Sequence, residues 1–280
     1  MQNAFFVVWR ESLEALLVIG ILYAWLNVND PGGKGKRALF VGIAVGIGLA
    51  LFLGWGLMNV QEGLAGEALQ VFQISILCVA AILITQMVIW MSLQGRAMKA
   101  HLENRLEQAQ QKSGSLGVLV VAALAVAREG AETIIFLYSL AQGGKIDELL
   151  IGAIGGFAAA IFTAWLAAKS LGRLNIGLLL RISSMLLLIL ASSLLVSASD
   201  RLTDMIVESD RLMHWMPALV DELWDSSGLI DDSGGIGRVL ADFAGYRAHP
   251  VLSNLLVWGG YWLLTISVYF FLVRRGKRSK

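Results

Sequence analysis

The sequence predicts an all-α membrane protein: seven transmembrane helices forming two inverted three-helix repeats plus a seventh helix, amino terminus outside and carboxyl terminus cytoplasmic. Composition is the first ground. Hydrophobic residues fill 57% of the 280 positions, charged residues only 15%, and mean hydropathy is +0.69, outside the range of an ordinary soluble domain. The second is length. Apolar runs of about 20 residues, enough to cross about 30 Å of hydrocarbon as a helix, lie near Ala4 to Leu26, Ala38 to Met58, Val71 to Leu93, Gly117 to Leu140, Glu148 to Ala168, Leu178 to Ala198 and Asn254 to Val273. The third is the sorting of charge. Lys34, Lys36 and Arg37 follow span 1; Arg96, Lys99, Arg105 and Lys112 follow span 3; Lys169, Arg173 and Arg181 follow span 5; Arg274, Arg275, Lys277, Arg278 and Lys280 follow span 7. Those four segments are therefore read as cytoplasmic.

Span 1 has no basic residue before Arg10 and no clear small-residue cleavage site after it, so a retained helix is expected rather than a removed signal peptide. Its middle carries Arg10-Glu11-Ser12-Leu13-Glu14, and the string Arg-Glu-x-x-Glu returns in span 4 as Arg128-Glu129-Gly130-Ala131-Glu132. Each ionisable group at bilayer depth costs roughly 2.5 to 3.5 kcal/mol, so six cost on the order of 15 to 20 kcal/mol if uncompensated. On a helix, Glu11 and Glu14 lie about 60° apart on one face, and Arg10 neighbours Glu14; the second motif repeats this. Two such helices facing each other would converge the carboxylates of Glu11, Glu14, Glu129 and Glu132, with Arg10 and Arg128 positioning them. All-oxygen coordination suits hard cations such as Fe(III), Mn(II), Mg(II) or Ca(II) and is a poor match for Cu(I). Two other uses remain open: interhelical clamps, although each Arg here has two acids, and a proton relay.

Spans 2 and 5 extend the repeat. A shift of 110 residues places Gly42, Gly46, Ala50, Phe52 and Trp55 onto Gly152, Gly156, Ala160, Phe162 and Trp165. Gly42-x-x-x-Gly46 and Gly152-x-x-x-Gly156 read as close-packing surfaces that bring the motif helices together. Spans 3 and 6 pair through Ile74-Ser75 and Ile182-Ser183. With three spans per unit the copies enter the bilayer from opposite sides, and in such folds the substrate site lies near the midplane where repeats meet. Repeat one is about 1–93, a cytoplasmic linker about 94–116, repeat two about 117–199, an acidic outer loop about 200–253, and the seventh helix with its basic tail 254–280, all one integral membrane domain.

The remaining features are quieter. Cys78 in span 3 reads as a small core residue, and with one cysteine no intramolecular disulfide can form. His101, His214 and His249 fall in loops, so no intramembrane imidazole site is expected. In the linker, Met98, Leu102 and Leu106 at fourfold spacing fit an amphipathic helix lying against the bundle or membrane surface. The outer loop holds Asp200, Asp204, Glu208, Asp210, Asp221, Glu222, Asp225, Asp231, Asp232 and Asp242 against Arg201, Arg211, Arg238 and Arg247. An acidic vestibule drawn from Glu62, Glu67, Asp221, Glu222, Asp225, Asp231 and Asp232 would concentrate cations, although solvated loop charge explains many such residues.

Two Arg-Glu-x-x-Glu motifs in the first and fourth of seven spans resemble the oxidase-dependent iron permease family, which includes fungal high-affinity iron permeases and the permease of bacterial iron-uptake systems. Met87-Val88-Ile89-Trp90-Met91, Leu223-Trp224-Asp225-Ser226-Ser227, Gly237, Gly245-Tyr246 and Pro250 are similar to further elements of that family, so the resemblance spans essentially the whole chain. Ser12 and Ala131 depart from its usual residues but lie between the charged positions. The resemblance implies a transporter rather than an enzyme, in the bacterial inner (plasma) membrane. Its substrate would be iron, as Fe(III) formed by coupled oxidation, with Glu11, Glu14, Glu129 and Glu132 as ligands and no bound organic cofactor. It also implies a periplasmic or extracellular ferrous-oxidising or iron-donor partner. Lipid is the surrounding partner and nucleic acid is not one. A broader divalent-cation or proton-coupled metal transporter is the alternative.

Overall fold

The computed structural model describes residues 2–30, 32–94, 98–142, 146–169, 176–208, 221–232 and 234–278. Arg96, Arg173, Asp210, Arg211, His214 and Lys280 lie outside the described residues. Among those described there are eight helices: α1 (Gln2–Asn29), α2 (Lys34–Glu62), α3 (Glu67–Gln94), α4 (Met98–Ala141), α5 (Ile146–Lys169), α6 (Ile176–Glu208), α7 (Gly235–Ala244) and α8 (Leu252–Arg278). The extended backbone pairing there is a single isolated bridge between Glu222 and Val251. Helix is what long apolar segments require in lipid, because every backbone N–H and C=O must be satisfied within the segment.

Helices cover all seven expected segments. Five stretches are long and apolar enough to cross a membrane by length and composition alone: Lys34–Glu62, Glu67–Ser92, Ile146–Lys169, Gly177–Val207 and Leu252–Leu272. The other two segments lie in α1 and α4, the helices that carry the charged motifs.

The chain divides into two compact units. One comprises Met1–Val60 and Gln94–Ser183, hence α1, α2, α4 and α5; the other comprises Gln61–Leu93 and Ser184–Lys280, hence α3, most of α6, α7 and α8. In the first unit, helix contact is made at small residues. A Cβ on Gly42 would stand 2.6 Å from the Leu119 carbonyl oxygen, and one on Gly46 would stand 2.8 Å from that of Ala123, so α2 rides directly on the backbone of α4. Gly156 of α5 meets the Phe5 carbonyl of α1 in the same way. Each small-residue helix therefore packs on the motif helix of the other sequence repeat. Their outward sides are apolar, with Phe52 and Trp55 on α2 and Phe162 and Trp165 on α5 all exposed. Each aromatic pair is in contact, at 5.7 and 6.1 Å between ring centroids.

The linker forms the first part of α4, which breaks at Gly114, where φ is 57° and ψ is −135°. A left-handed φ is accessible to Gly at little cost, so the chain doubles back sharply enough to set Gly117 against Ala109. Leu102 and Leu106 thereby pack on Val18, Leu22, Leu26, Ala38 and Leu39, which matches the amphipathic reading and places the segment against the bundle. His101 consequently sits in helix rather than in a loop. Cys78 is only partly buried, a correction to its reading as a core residue; neighbouring Leu77, Ala80 and Ala81 occupy the buried face of α3.

The close approach at Gly46 predicts that Gly46→Ala will lower the melting temperature of the purified protein, an overpacking cost of about 1–3 kcal/mol. Gly48→Ala, whose Cβ would meet nothing within 4 Å, should be neutral or slightly stabilising. Equal melting of the two variants would contradict the packing assignment.

Candidate metal site

The two motifs meet inside the first unit. Helix α1 runs along both α4 and α5, and its rotation is pinned one residue before the motif, where Trp9 Nε1 donates to Thr163 Oγ1 at 3.2 Å. Arg10 is 0% exposed, Glu11 1%, Glu14 8%, Glu129 9% and Glu132 8%. Charges buried this deeply persist only when paired or when they coordinate a cation.

Pairing is unequal between the motifs. Arg10 Nη1 lies 3.3 Å from Glu11 Oε1 and Arg10 Nη2 lies 3.0 Å from Glu14 Oε1, so one enclosed guanidinium serves both acids of its helix. Arg128 Nε donates to Glu132 Oε1 at 3.0 Å, but the Arg128 side chain is 48% exposed. It sits in line with exposed Leu116, Val120 and Leu124, four residues apart along α4. Glu129 and Glu132 turn to the buried side.

Glu11, Glu14 and Glu129 each offer a carboxylate oxygen, and the three oxygens lie within 4.8 Å of one another. Two helices thus contribute to one oxygen cluster. Glu132 does not belong to that trio and is held by Arg128 instead. The Oε2 atoms of Glu11, Glu129 and Glu132 are buried and receive no hydrogen bond. Buried acceptors left in that state cost about 1–3 kcal/mol each, more when charged, which a cation or protons would relieve.

The expected vestibule residues lie in the second unit. Glu62, Glu67, Asp221, Glu222, Asp225 and Asp231 are exposed, and Asp232 is half-buried. Several have local structural work. Asp232 Oδ2 accepts the Ala248 N–H at 3.0 Å. Asp225 Oδ1 accepts the Ser227 hydroxyl at 2.6 Å and its N–H at 2.8 Å, which holds the Asp225 carboxyl below the usual carboxylate range. His249 stands between two of the acids, with Nδ1 3.4 Å from Glu222 Oε2 and Nε2 3.6 Å from Asp225 Oδ1. Its role there had no sequence signal, because Glu222 and Asp225 reach it only by folding of the loop.

The loop itself is more built than its composition suggests. α6 continues through Asp200 and Asp204 to Glu208, so these acids belong to helix rather than to a loop beginning at Asp200. The extension is braced: Arg247 Nε donates to Asp200 Oδ2 at 2.8 Å, Asn254 Nδ2 to Asp200 Oδ1 at 2.7 Å, and Arg201 pairs with Gln73. Tyr246 bonds Ser226 at 2.8 Å and donates to the Ile230 carbonyl at 3.0 Å, while Ser193 of α6 donates to the Ala241 and Asp242 carbonyls closing α7. The Leu-Trp-Asp-Ser-Ser and Gly-Tyr elements thus serve the architecture of this segment.

Long apolar helices around an enclosed carboxylate cluster define the class: an integral membrane protein with an ionisable site buried among its helices. The chain belongs to the Iron permease FTR1 family, whose profile matches residues 1–277. It is 27% identical over 273 residues to the ferrous iron permease EfeU of Yersinia pestis, covering 97% of this chain and 93% of that protein. It is 24% identical over 274 residues to the EfeU proteins of Escherichia coli O6:H1 and Shigella sonnei, covering 97% of this chain and 96% of each. No solved structure matches the chain. The protein is an integral inner-membrane protein of a family of iron transporters.

The unequal burial of the two arginines carries a prediction for stability. Arg10→Ala strands two enclosed carboxylates and is expected to cost about 3–5 kcal/mol. Arg128→Ala strands one buried carboxylate, Glu132, rather than two and is expected to cost less, about 1–3 kcal/mol. Thermal melts of the two purified variants decide the point, and equal losses would contradict it.

Proposed function

We propose that this chain carries iron inward across the membrane, with Glu11, Glu14, Glu129 and Glu132 as the ligands of the transported ion and Arg10 and Arg128 positioning them. The observation that carries this reading is the trio of buried carboxylate oxygens within 4.8 Å, drawn from both Arg-Glu-x-x-Glu motifs, in a chain of an iron permease family. In the proposed topology α1 and the second part of α4 cross the bilayer beside the five apolar spans, giving seven crossings with the amino terminus outside. An inverted repeat is supported by the reciprocal packing of α2 on α4 and α5 on α1. It is supported too by the equivalent aromatic pairs, one for each leaflet.

An ion in an all-oxygen site with several carboxylates is better matched as Fe(III) than as a softer cation. The relatives' name of ferrous iron permease points to Fe(II) as the form offered to those proteins. The two fit together if an oxidase outside the membrane takes one electron from each Fe(II) and passes it to that oxidase's own electron acceptor as iron is handed over, a donor protein otherwise delivering the ion unchanged. Glu62, Glu67, Asp221, Glu222, Asp225, Asp231 and Asp232 then act as an acidic collecting surface on the outer side.

Glu14→Ala and Glu132→Ala are each expected to abolish iron uptake in proteoliposomes while leaving the protein folded and inserted. Undiminished uptake by both would sink the ligand assignment. Comparing Fe(II), Fe(III), Mn(II) and Zn(II), with and without an oxidant, separates an oxidation-coupled iron permease from a broader divalent-cation carrier.

A further inference from the structure

Helix α7 is divided lengthwise into three sides, and its aliphatic stripe is not the side that packs. Gly237 and Ala241, four residues apart, are buried, and a Cβ on Gly237 would strike the Asp231 carbonyl. Arg238 and Asp242, also four apart, form an exposed charged side. Ile236, Val239 and Leu240 form the third side, at 78%, 41% and 37% exposure. A surface helix ordinarily turns such a stripe to the core. Here small residues take the packed position instead, which leaves the stripe for something outside the chain.

The place of α7 along α6 says what covers that stripe. Ser193 of α6 donates to the Ala241 and Asp242 carbonyls at 3.2 and 3.0 Å, and Gly245, the left-handed residue that ends α7, sits against Ser193 and Val196. Ser193 comes seven residues before Asp200, the first charge on α6 after Arg181, hence about 10 Å below it at about 1.5 Å per residue. The end of α7 therefore lies beside the apolar part of α6. The chain then returns to the level of Asp200 through Arg247, whose Nε donates to that carboxylate at 2.8 Å. Exposed Trp224 and Trp258 stand with Gly245 and Leu255 around one groove at this turn, and Trp is the residue that membrane–water boundaries favour. We propose that α7 lies in the bilayer interface, with Ile236, Val239 and Leu240 among lipid acyl chains and Arg238 and Asp242 turned to water. The depth agrees with the roughly 5–10 Å to which interfacial helices bury their apolar face. Because Arg238 and Asp242 cancel in charge, the partner is the acyl region rather than anionic headgroups. In the proposed topology the leaflet is the outer one, and α7 holds the acidic segment from Glu222 to Asp232 at the membrane surface. The proposal goes beyond the ligand assignment and stands without it.

The test uses the full chain, carrying Cys78→Ser, in phosphatidylcholine nanodiscs. Ile236→Cys, Leu240→Cys, Arg238→Cys and Leu256→Cys are made one at a time and labelled with bimane. All four positions are exposed, so the labels displace no packed side chain. Quenching is measured with phosphatidylcholine carrying a nitroxide high on its acyl chain, and with iodide in the buffer. Leu256, 58% exposed on an apolar span, sets the scale for lipid contact. Labels at Ile236 and Leu240 are expected to show lipid quenching within about twofold of Leu256, and iodide quenching about threefold or more below that at Arg238, as the immersed and hydrated sides of an interfacial helix require. Adding anionic phosphatidylglycerol should change neither ratio. Iodide quenching at Ile236 and Leu240 equal to that at Arg238 would overturn the proposal by placing the stripe in water. Weak quenching by both agents would overturn it by showing protein over the stripe, from this chain or a partner. Immersion seen only with the anionic lipid would overturn the assignment to acyl chains.

Discussion

Arg10 is fully buried, and a guanidinium so placed is tolerable only while Glu11 and Glu14 stay beside it. Much of the unit follows from that constraint. Two acids on one arginine leave negative charge over, so the motif side of α1 needs a polar neighbour even though α1 also packs on apolar α5. It closes against α4, which brings Glu129 into the same oxygen cluster, together with Glu132 and its own cation. The approach needed to seal the charges from lipid is made at Gly42, Gly46 and Gly156, where any side chain would strike a backbone carbonyl. Packing and chemistry are therefore one problem here: the glycines permit the contact, and the charges require it.

Much of this was legible in the sequence because its signals are local and periodic. The three- and four-residue spacing of the motifs put paired carboxylates on one helix face, and the G-x-x-x-G strings marked the helices that press on them. The linker's Leu102 and Leu106 behave as their spacing suggests. What escaped the sequence depends on neighbours distant along the chain. Arg10 and Arg128 read alike, yet one is enclosed and the other half exposed, because burial is decided by what packs over each side chain rather than by spacing. Asp200 looked like one more loop acid and proves to be the hub joining Arg247 and Asn254. Nor does the repeat pattern reveal that α3 and α6 group with α8, apart from the other helices of their repeats.

The two motifs differ in burial although their charged residues are the same: Arg10 is enclosed with Glu11 and Glu14, while the Arg128 side chain is 48% exposed and pairs with Glu132. The segment in which His249 stands between Glu222 and Asp225 and Tyr246 ties the turns belongs to the second unit.

The central claim is that carboxylates from both motifs hold one transported iron ion. Anomalous diffraction at the iron absorption edge, from crystals of the iron-loaded chain, tests it most directly. A single peak within bonding distance of oxygens from Glu11, Glu14 and Glu129 is the predicted result. A peak elsewhere, or one ligated from α1 or α4 alone, would contradict it.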